Sequence, residues 1–384
     1  MQDPFARVLS DQVEQAQAAL GLNLDITLAD YADSKRAIGI NGARRRSAYD
    51  IIAIDAVWMG DLASQGILLE LSDIAQIRDL DVASFISSAW ESGQFAGEQL
   101  AIPIQPHPEV LIYRRSVLEA LDETPPLTTE ELVQVARRIS AEIPNMDGIC
   151  WNAASGAALG QQMLHFAGAF GFSVSPGQSR FSVTDAAWRE AFEFAQSLVQ
   201  VSPPMAQDMA WDRRIDLFRR GACGISYAWG ARTARLESEN SAIAGDIGYA
   251  AAPYGATHQP VTPLGVWLLS IPANLEPERI PVAVDALVSL TSPKAARFLL
   301  ENGVSAVPRH LEGGADAFPV IGLVYQLNQL DQLSASMRPA LPQFQHVSEI
   351  IGVEAHRALF GSASIDDAIM AIDRRLNRLW ADLQ

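Results

Sequence analysis

The sequence predicts an α/β protein of two lobes joined by crossing strands. The chain of 384 residues exceeds what one hydrophobic core usually organises, so two cores are expected. Strand-like and helix-like segments alternate along most of it, which is typical of α/β lobes. Two apolar runs that contain prolines, residues 97–115 and 259–273, separate blocks of this alternation. We interpret these runs as the strands that pass from one lobe to the other.

The first lobe begins with segments of clear periodicity. Residues 4–20 have helical apolar spacing that Gly21 ends, and residues 22–29 alternate as a strand. Residues 33–46 are predicted to be largely helical. The run YDIIAIDA, residues 49–56, is nearly continuous in apolar residues, as in strands buried in a parallel sheet. Together these segments predict a doubly wound lobe.

Helix starts are marked further along the chain. Thr128 and Glu131 form a capping-box pattern, and Thr184, Ser292 and Ser364 are predicted N-caps. The segment from residue 325 onward is predicted to be mostly helical.

Composition excludes several classes of function. The hydrophobic fraction is 49% and the charged fraction 19%, which indicates a globular protein. The net charge of −17 argues against a nucleic-acid or anionic-membrane surface, because phosphate binding needs clustered lysine and arginine. No run approaches a membrane span, and the first residues lack the basic start and apolar core of a signal peptide. The chain is therefore expected to be soluble, and a leader removed by processing is equally compatible.

The sequence contains none of the common motifs that bind a metal or a cofactor. The six histidines are scattered, and neither a zinc spacing nor a glycine-rich phosphate loop nor GxSxG occurs. We therefore expect no metal, no cofactor and no catalytic residues. Cys150 and Cys223 both lie in apolar contexts, which favours two buried free thiols and leaves a disulfide open.

The first crossing run carries three polar side chains, Gln105, His107 and Glu109, at two-residue spacing. In extended backbone they share one face. The three prolines among them donate no N–H, so we predict a crossing segment rather than an ordinary strand. The polar side chains either contact a ligand or satisfy the backbone of a hinge, and the residues leave both readings open.

Several tryptophans stand beside polar residues or glycines at the ends of predicted strands. A sugar presents C–H patches on its ring faces and hydroxyls around its edge, so it needs flat aromatic faces beside hydrogen-bonding groups. Any one tryptophan is more often part of the core, and Trp151 is the clearest core candidate. The pairs are Asp55 with Trp58, Trp151 with Asn152, Trp229 with Gly230, and Gly265 with Trp267.

A series of segments carries a family resemblance. In order they are YDIIAIDAVWMGDLASQGILLEL, GEQLAIPIQPHPEVLIYRRSVLEAL, GACGISYAWG, PLGVWLLSIPA, ALVSLTSPKAARFLLENGVSAVPR and RPALPQFQHVSEIIGVEAHRALFGSASIDDAIMAI. Together they resemble the periplasmic solute-binding proteins of ABC importers, of the sugar-binding, maltose-binding-protein-like type.

The resemblance implies a type II-like periplasmic-binding-protein fold with hinge strands and a helical C-terminal segment. The N-terminal lobe would comprise residues 1–108 and 266–315, and the C-terminal lobe residues 109–265 and 316–384. Family members begin with a strand before the first helix, whereas this chain starts at that helix, so the first lobe is expected to lack that strand.

The resemblance also implies a function. The chain would capture a small carbohydrate or a derivative by hinge closure and deliver it to a membrane permease. It would act in the periplasm, as a monomer, without nucleic acid. The implied ligand-binding residues are Asp55, Trp58, Gln105, His107, Glu109, Asn152, Ser155, Gly156, Trp229, Gly265, Trp267 and Arg338.

Other functions stay open at this point. His107, Glu109 and Arg338 would suit a charged sugar derivative. The same architecture could bind a polyamine, a peptide or an organic anion. An enzyme acting on glycosides, with Asp55 and Glu109 as its carboxylate pair, would need the carboxyl groups about 5 to 10 Å apart and one raised pKa.

Overall fold

The computed structural model describes residues 4–175, 178, 180–237, 240–305 and 319–382. In this part of the chain, no helix is both long and apolar enough to cross a membrane. The α-helices are α1 Pro4–Asp11, α2 Val13–Leu20, α3 Tyr31–Gly42, α4 Met59–Ser64, α5 Ala75–Arg78, α6 Ser87–Glu91, α7 Arg115–Ala120, α8 Thr129–Glu142, α9 Ala157–Ala169, α10 Ala186–Val199, α11 Trp211–Arg219, α12 Ile280–Leu290, α13 Pro293–Glu301, α14 Pro319–Gln329, α15 Phe344–Leu359 and α16 Ile365–Ala381. The strands are β1 Ile52–Asp55, β2 Gln94–Phe95, β3 Glu98–Gln99, β4 Ile102–Arg114, β5 Asp147–Cys150, β6 Cys223–Trp229, β7 Ile247–Ala250, β8 Thr262–Ser270 and β9 Leu333–Ser334. Short 3₁₀ helices cover Ala56–Trp58, Val82–Ser84, Ala206–Asp208, Gly230–Glu237 and Pro277–Arg279.

The chain divides into two compact units. Unit 1 comprises Met1–Pro108, Leu264–Asp331 and Ala340–Phe344, and unit 2 comprises Glu109–Pro263, Gln332–Pro339 and Gln345–Gln384. The boundary expected at residue 315 lies outside the described residues. Helix α14 belongs to unit 1, not to the second lobe as predicted, because its Ile321 and Tyr325 pack against Ala296 and Leu300 of α13.

The main sheet of unit 1 is antiparallel. Strand β8 lies between β1 and the first half of β4. The parallel surroundings predicted for β1 are therefore wrong, since continuous apolar character reports burial and not strand direction. The register sets both Asp55 of β1 and Gln105 of β4 opposite Trp267 of β8, and His107 opposite Gly265.

Strand β4 is continuous through its three prolines, which corrects the prediction that they would interrupt an ordinary strand. All three lie between Ile102 and Pro108, where β8 is the only described strand that pairs with β4. An edge position leaves one side of the backbone without a ladder, so a missing N–H is tolerated there. A register shift between Pro103 and Gln105 accommodates the irregularity.

The sheet of unit 2 uses the second half of β4 as its central strand. Strands β6 and β7 both pair with it in antiparallel fashion, and β5 adds to β6 in parallel. This register sets Glu109 opposite Trp229. Helix α9 packs on α10, and α8 packs on β5. Strand β8 begins in unit 2, where its first residues pair with β9.

The N-terminal segment differs from its prediction. The helix expected over residues 4–20 is divided at Gln12 into α1 and α2, and Gly21 ends α2 in the left-handed conformation as predicted, with φ 71°. Residues 22–28 alternate between half-buried and exposed, as a strand would, but residues 22–29 form no strand. Alternation fixes which side chains are covered, whereas a strand also needs a neighbour, and no described strand pairs with this segment.

Two other local predictions have clear outcomes. Thr128 and Glu131 form the predicted capping box, and Ser292 and Ser364 are the predicted N-caps. The prediction of Thr184 as N-cap is wrong by one residue, because Asp185 accepts the hydrogen bond from Trp188 N at 3.3 Å.

Cys150 and Cys223 form a disulfide, so the prediction of two free thiols is wrong. Both side chains are fully buried, as expected from their apolar contexts. The two cysteines lie on β5 and β6, which are neighbours in the sheet although 73 residues apart in sequence. Their pairing depends on sheet order, which local sequence does not reveal.

Candidate ligand-binding residues

Four aromatic rings of unit 1, Phe5, Tyr31, Trp58 and Trp267, form an aromatic cluster beside the carboxylate of Asp55. The ring centroids of Tyr31 and Trp58 are 4.6 Å apart, and those of Trp58 and Trp267 are 5.7 Å apart at right angles. Phe5 lies 5.9 Å from Trp267. Tyr31 Oη donates a hydrogen bond to Asp55 Oδ2 at 2.8 Å. The rings are thus tilted or edge-to-face, and edge-to-face geometry stabilises aromatic pairs beyond burial alone.

The backbone explains why these groups meet. Asp55 ends β1, and its carboxylate accepts a hydrogen bond from Val57 N at 3.4 Å, which caps the 3₁₀ turn leading to Trp58. Trp267 lies directly across the ladder from Asp55. Asp55, Trp58 and Trp267 therefore meet because of one strand end and one cross-strand pair, and only the pairing of Asp55 with Trp58 was predicted.

The first half of β4 adds polar groups to unit 1. Gln105 is fully buried, and among the described residues neither its amide nitrogen nor its amide oxygen has a hydrogen-bond partner. The same is true of the indole N–H of Trp58. Buried polar groups normally have partners, so these atoms are suited to a bound molecule. The imidazole of His107 lies against Gly265, where a Cβ would overlap the ring.

Unit 2 holds a buried ion network made of Glu109, Gln162, His165 and Arg214. Arg214 Nη2 contacts Glu109 Oε1 at 2.7 Å, and His165 Nδ1 contacts Glu109 Oε2. Gln162 Nε2 also donates to Glu109 Oε2, at 3.3 Å, and Gln162 Oε1 accepts from Arg214 Nη1 at 3.2 Å. Both oxygens of the Glu109 carboxylate are thus engaged within unit 2.

The network keeps Glu109 ionised. Burial raises the pKa of the Glu109 carboxyl, but Arg214 and His165, through charge and hydrogen bonds, outweigh burial and lower the pKa to about 2. Burial also lowers the pKa of Arg214, and Glu109 opposes that effect. Each charge therefore depends on the other for its place in the core.

Trp229 joins this network to Arg338. The guanidinium of Arg338 lies over the Trp229 ring at 4.5 Å from its centroid, which is cation–π geometry. His165 meets the same indole in a T-shaped contact at 5.4 Å. Both Trp229 and Arg338 are buried. Trp229 and Arg338, each predicted separately as a ligand-binding residue, are thus in direct contact within unit 2.

The loop of unit 2 that follows β5 carries three predicted ligand-binding residues, Asn152, Ser155 and Gly156. Asn152 is buried, and its Oδ1 has no hydrogen-bond partner among the described residues. Ser155 is exposed. Gly156 has a φ of 94° and lies against Glu349, whose carboxylate accepts from Ala157 N at 3.0 Å. Gly156 therefore has a structural role at the start of α9.

Sequence reasoning missed four residues of these two groups, Tyr31, Gln162, His165 and Arg214. Gln162 and His165 lie three residues apart on one buried face of α9. Arg214 shares the buried face of α11 with Ile215 and Phe218. The sequence did contain one indication of this network, an arginine on an apolar helix face, because a charge in that position needs a buried partner. The described residues include no cluster of His, Cys, Asp and Glu that could hold a metal.

The fold is that of two-lobed periplasmic-binding proteins, as predicted. A solute-binding protein from Agrobacterium radiobacter K84, solved in complex with ribitol, matches with a TM-score of 0.85 and 22% identity, over 98% of this chain and 96% of that one. Maltose-bound MalE3 of T. maritima matches with a TM-score of 0.83 and 22% identity, over 98% and 97% of the two chains.

The chain belongs to the bacterial extracellular solute-binding protein family, whose model matches residues 22–297. A Deinococcus radiodurans protein named "Probable ABC transporter-binding protein" is 26% identical over 236 residues. That match covers 60% of this chain and 55% of the relative, so the chain spans about half the length of this curated relative. The family resemblance inferred from the sequence segments is confirmed.

Proposed function

We propose that the chain is the substrate-binding component of an ABC importer and captures a small carbohydrate or polyol. Its family consists of bacterial extracellular solute-binding proteins. Two proteins of the same fold were solved with ribitol and maltose, both polyhydroxylated molecules. These ligands belong to those proteins, and they indicate the class of compound to test here.

One observation carries the proposal: in each unit, a buried indole lies beside hydrogen-bonding side chains on the strands that link the units. In unit 1, Trp267 lies opposite Gln105, whose amide has no partner among the described residues. In unit 2, Trp229 lies opposite Glu109 and under Arg338. Flat rings beside polar groups are what a sugar needs.

The proposed mechanism is hinge closure. Ligand binding stabilises the closed state of the protein, and the strands β4 and β8, each of which runs through both units, act as the hinge. The closed complex then delivers the ligand to a membrane permease. The protein acts as a monomer in the periplasm, and its disulfide supports such an oxidising compartment.

Isothermal titration with maltose, ribitol, D-mannitol and D-tagatose tests the proposal. The wild type should bind at least one of them, and Trp229→Ala and Gln105→Ala should weaken that binding about tenfold or more. Trp90→Ala is the matched control, because Trp90 is a tryptophan of unit 1 that packs on Phe85 and belongs to neither set. Absence of binding to every compound would overturn the sugar assignment.

We propose that the protein has no catalytic activity on glycosides. In a glycosidase pair of Asp55 and Glu109, Glu109 would be poorly suited to either role. The pKa of its carboxyl is lowered to about 2, and both of its carboxylate oxygens are engaged by Arg214, His165 and Gln162. Incubation with maltose, followed by chromatography of the products, should show the disaccharide intact. Release of glucose by the purified protein, and not by a Glu109→Gln variant, would contradict this.

Arg338 supports one narrower alternative, a ligand that carries an acid group. Its guanidinium is held over Trp229, and guanidinium groups recognise carboxylates well. Comparing glucuronate with glucose in the same titration separates the alternatives. A preference for glucuronate that Arg338→Gln abolishes favours the acidic ligand, and equal binding favours the neutral sugar.

A further inference from the structure

We propose that Tyr31 is a ligand-contacting residue that offers an aromatic face to a sugar ring. This inference rests on the proposed function. Within the aromatic cluster, Phe5 is 3% exposed, Trp58 0% and Trp267 5%, whereas Tyr31 is partly exposed. Phe5 and the two tryptophans form the buried support, and Tyr31 is the member of the cluster that is partly exposed.

The ring of Tyr31 is fixed in place. Tyr31 is the first residue of α3, where the helix restricts its backbone. Its hydroxyl donates to Asp55 Oδ2 at 2.8 Å, its ring packs 4.6 Å from Trp58, and Trp267 meets it edge-on at 81°. A ring held from three sides loses little freedom when a ligand docks, so the entropic cost of binding is small.

The chemistry of the ligand follows from this arrangement. One face of a sugar ring presents C–H groups that stack on an aromatic ring, and the hydroxyls at its edge reach neighbouring polar groups. Asp55, bonded to the Tyr31 hydroxyl, is the adjacent polar group. An acyclic polyol has no flat C–H face. Tyr31 therefore contributes more to the binding of cyclic sugars than to the binding of acyclic polyols.

Substitution at Tyr31 separates ligand contact from simple packing. Tyr31→Leu keeps an apolar side chain and removes the flat aromatic face. Tyr31→Phe keeps the aromatic face and removes the hydrogen bond to Asp55. Tyr325→Leu is the matched control, because Tyr325 is a partly buried tyrosine of unit 1 that packs against Ala296, Leu300 and Ile321. Each variant is titrated with maltose and with ribitol, and the thermal midpoint of each ligand-free protein is measured.

The expected result is selective. Tyr31→Leu should weaken maltose binding about tenfold and ribitol binding less than about threefold, with Tyr31→Phe and Tyr325→Leu close to wild type for maltose. Equal maltose affinity in Tyr31→Leu and the wild type would overturn the role of Tyr31 and leave the proposed function intact. So would equal losses for both ligands with a lowered thermal midpoint, or a wild type that binds ribitol alone. A wild type that binds neither compound, nor D-mannitol or D-tagatose, would overturn the proposed function and this inference together.

Discussion

The two units hold their candidate ligand residues by different physics. In unit 1, the aromatic cluster packs ring against ring around Asp55, and its hydrogen bonds involve neutral donors such as Tyr31 Oη. In unit 2, the ion network holds Glu109 by a guanidinium, an imidazole and an amide, all buried. Unit 2 also carries the disulfide Cys150–Cys223.

The aromatic cluster and the ion network should differ in how well they tolerate the substitution of one member. Aromatic packing is the sum of many weak contacts, so the loss of one contact costs little and the neighbours can adjust. A buried ion pair is directional, and the loss of one partner leaves a charge in a medium of low dielectric. We therefore expect substitutions in the ion network to reduce stability strongly, and substitutions in the aromatic cluster to act mainly on ligand binding.

The largest expected effect is that of Glu109→Gln. The substitution leaves the buried charge of Arg214 without its carboxylate, which should lower the free energy of unfolding by about 3–5 kcal/mol. Urea unfolding of the ligand-free protein measures it. Glu142→Gln, which removes the exposed partner of Arg138 on α8, is the control and should change little. Wild-type stability in Glu109→Gln would mean that the ion network does not hold unit 2 together.

The same carboxylate predicts a pH dependence. The folded-state pKa of Glu109, about 2, lies below its ordinary value of 4.5, so Glu109 stabilises the fold above pH 4.5. That contribution, about 3 kcal/mol, is lost as the pH falls from 4.5 towards 2. Unfolding free energies of wild type and Glu109→Gln should therefore converge over this range. A constant difference between the two proteins across the range would show that Glu109 is not the group responsible.

Reducing the disulfide tests whether unit 2 is also held by its cross-link. The bond closes a long loop, with its cysteines 73 residues apart, and should contribute about 2–4 kcal/mol to stability. Urea unfolding with and without dithiothreitol compares the same sequence in both states. An unchanged midpoint would place the rigidity of unit 2 in the ion network alone.

In unit 1, Gly265→Ala should have a moderate effect. The new methyl group overlaps the imidazole of His107, and relieving the overlap should cost about 1–3 kcal/mol of stability. Gly39→Ala is the control within unit 1, since nothing lies within contact of a Cβ there and alanine favours the α3 helix. A Gly265→Ala variant as stable as wild type would show that His107 moves aside freely.

Several features of the fold could be predicted from the sequence because they depend only on residues that are neighbours in the chain. The capping box at Thr128 and the helix stop at Gly21 use neighbouring residues only, and both formed as predicted. The run 97–115 was predicted to link the two lobes, and its strand β4 does pass from unit 1 into unit 2. Predictions that needed a partner failed: residues 22–29 had no pairing strand, and Cys150 was assigned no disulfide.

The candidate ligand-binding residues also separate into those that local sequence indicates and those that it does not. Asp55, Trp58 and Trp267 were predicted as ligand-binding residues from predicted strands and their ends, and that role stays a prediction. Tyr31 and Arg214 were missed because each reaches its partner, Asp55 or Glu109, across a large separation in the chain. A single sequence shows which residues are polar on an apolar face, but sheet register and helix docking decide which of them meet.

The smallest expected effect is that of Tyr31→Phe on stability. Removing the hydroxyl breaks one hydrogen bond to Asp55 and leaves the ring contacts intact, so the loss should be about 0.5–1.5 kcal/mol. A double-mutant cycle with Asp55→Ala, read by urea unfolding, isolates the pair. Coupling within that range would support a unit 1 site held by packing with one modest polar link. Coupling as large as the loss in Glu109→Gln would instead make Tyr31 and Asp55 the counterpart of the ion network, and the contrast between the two units would disappear.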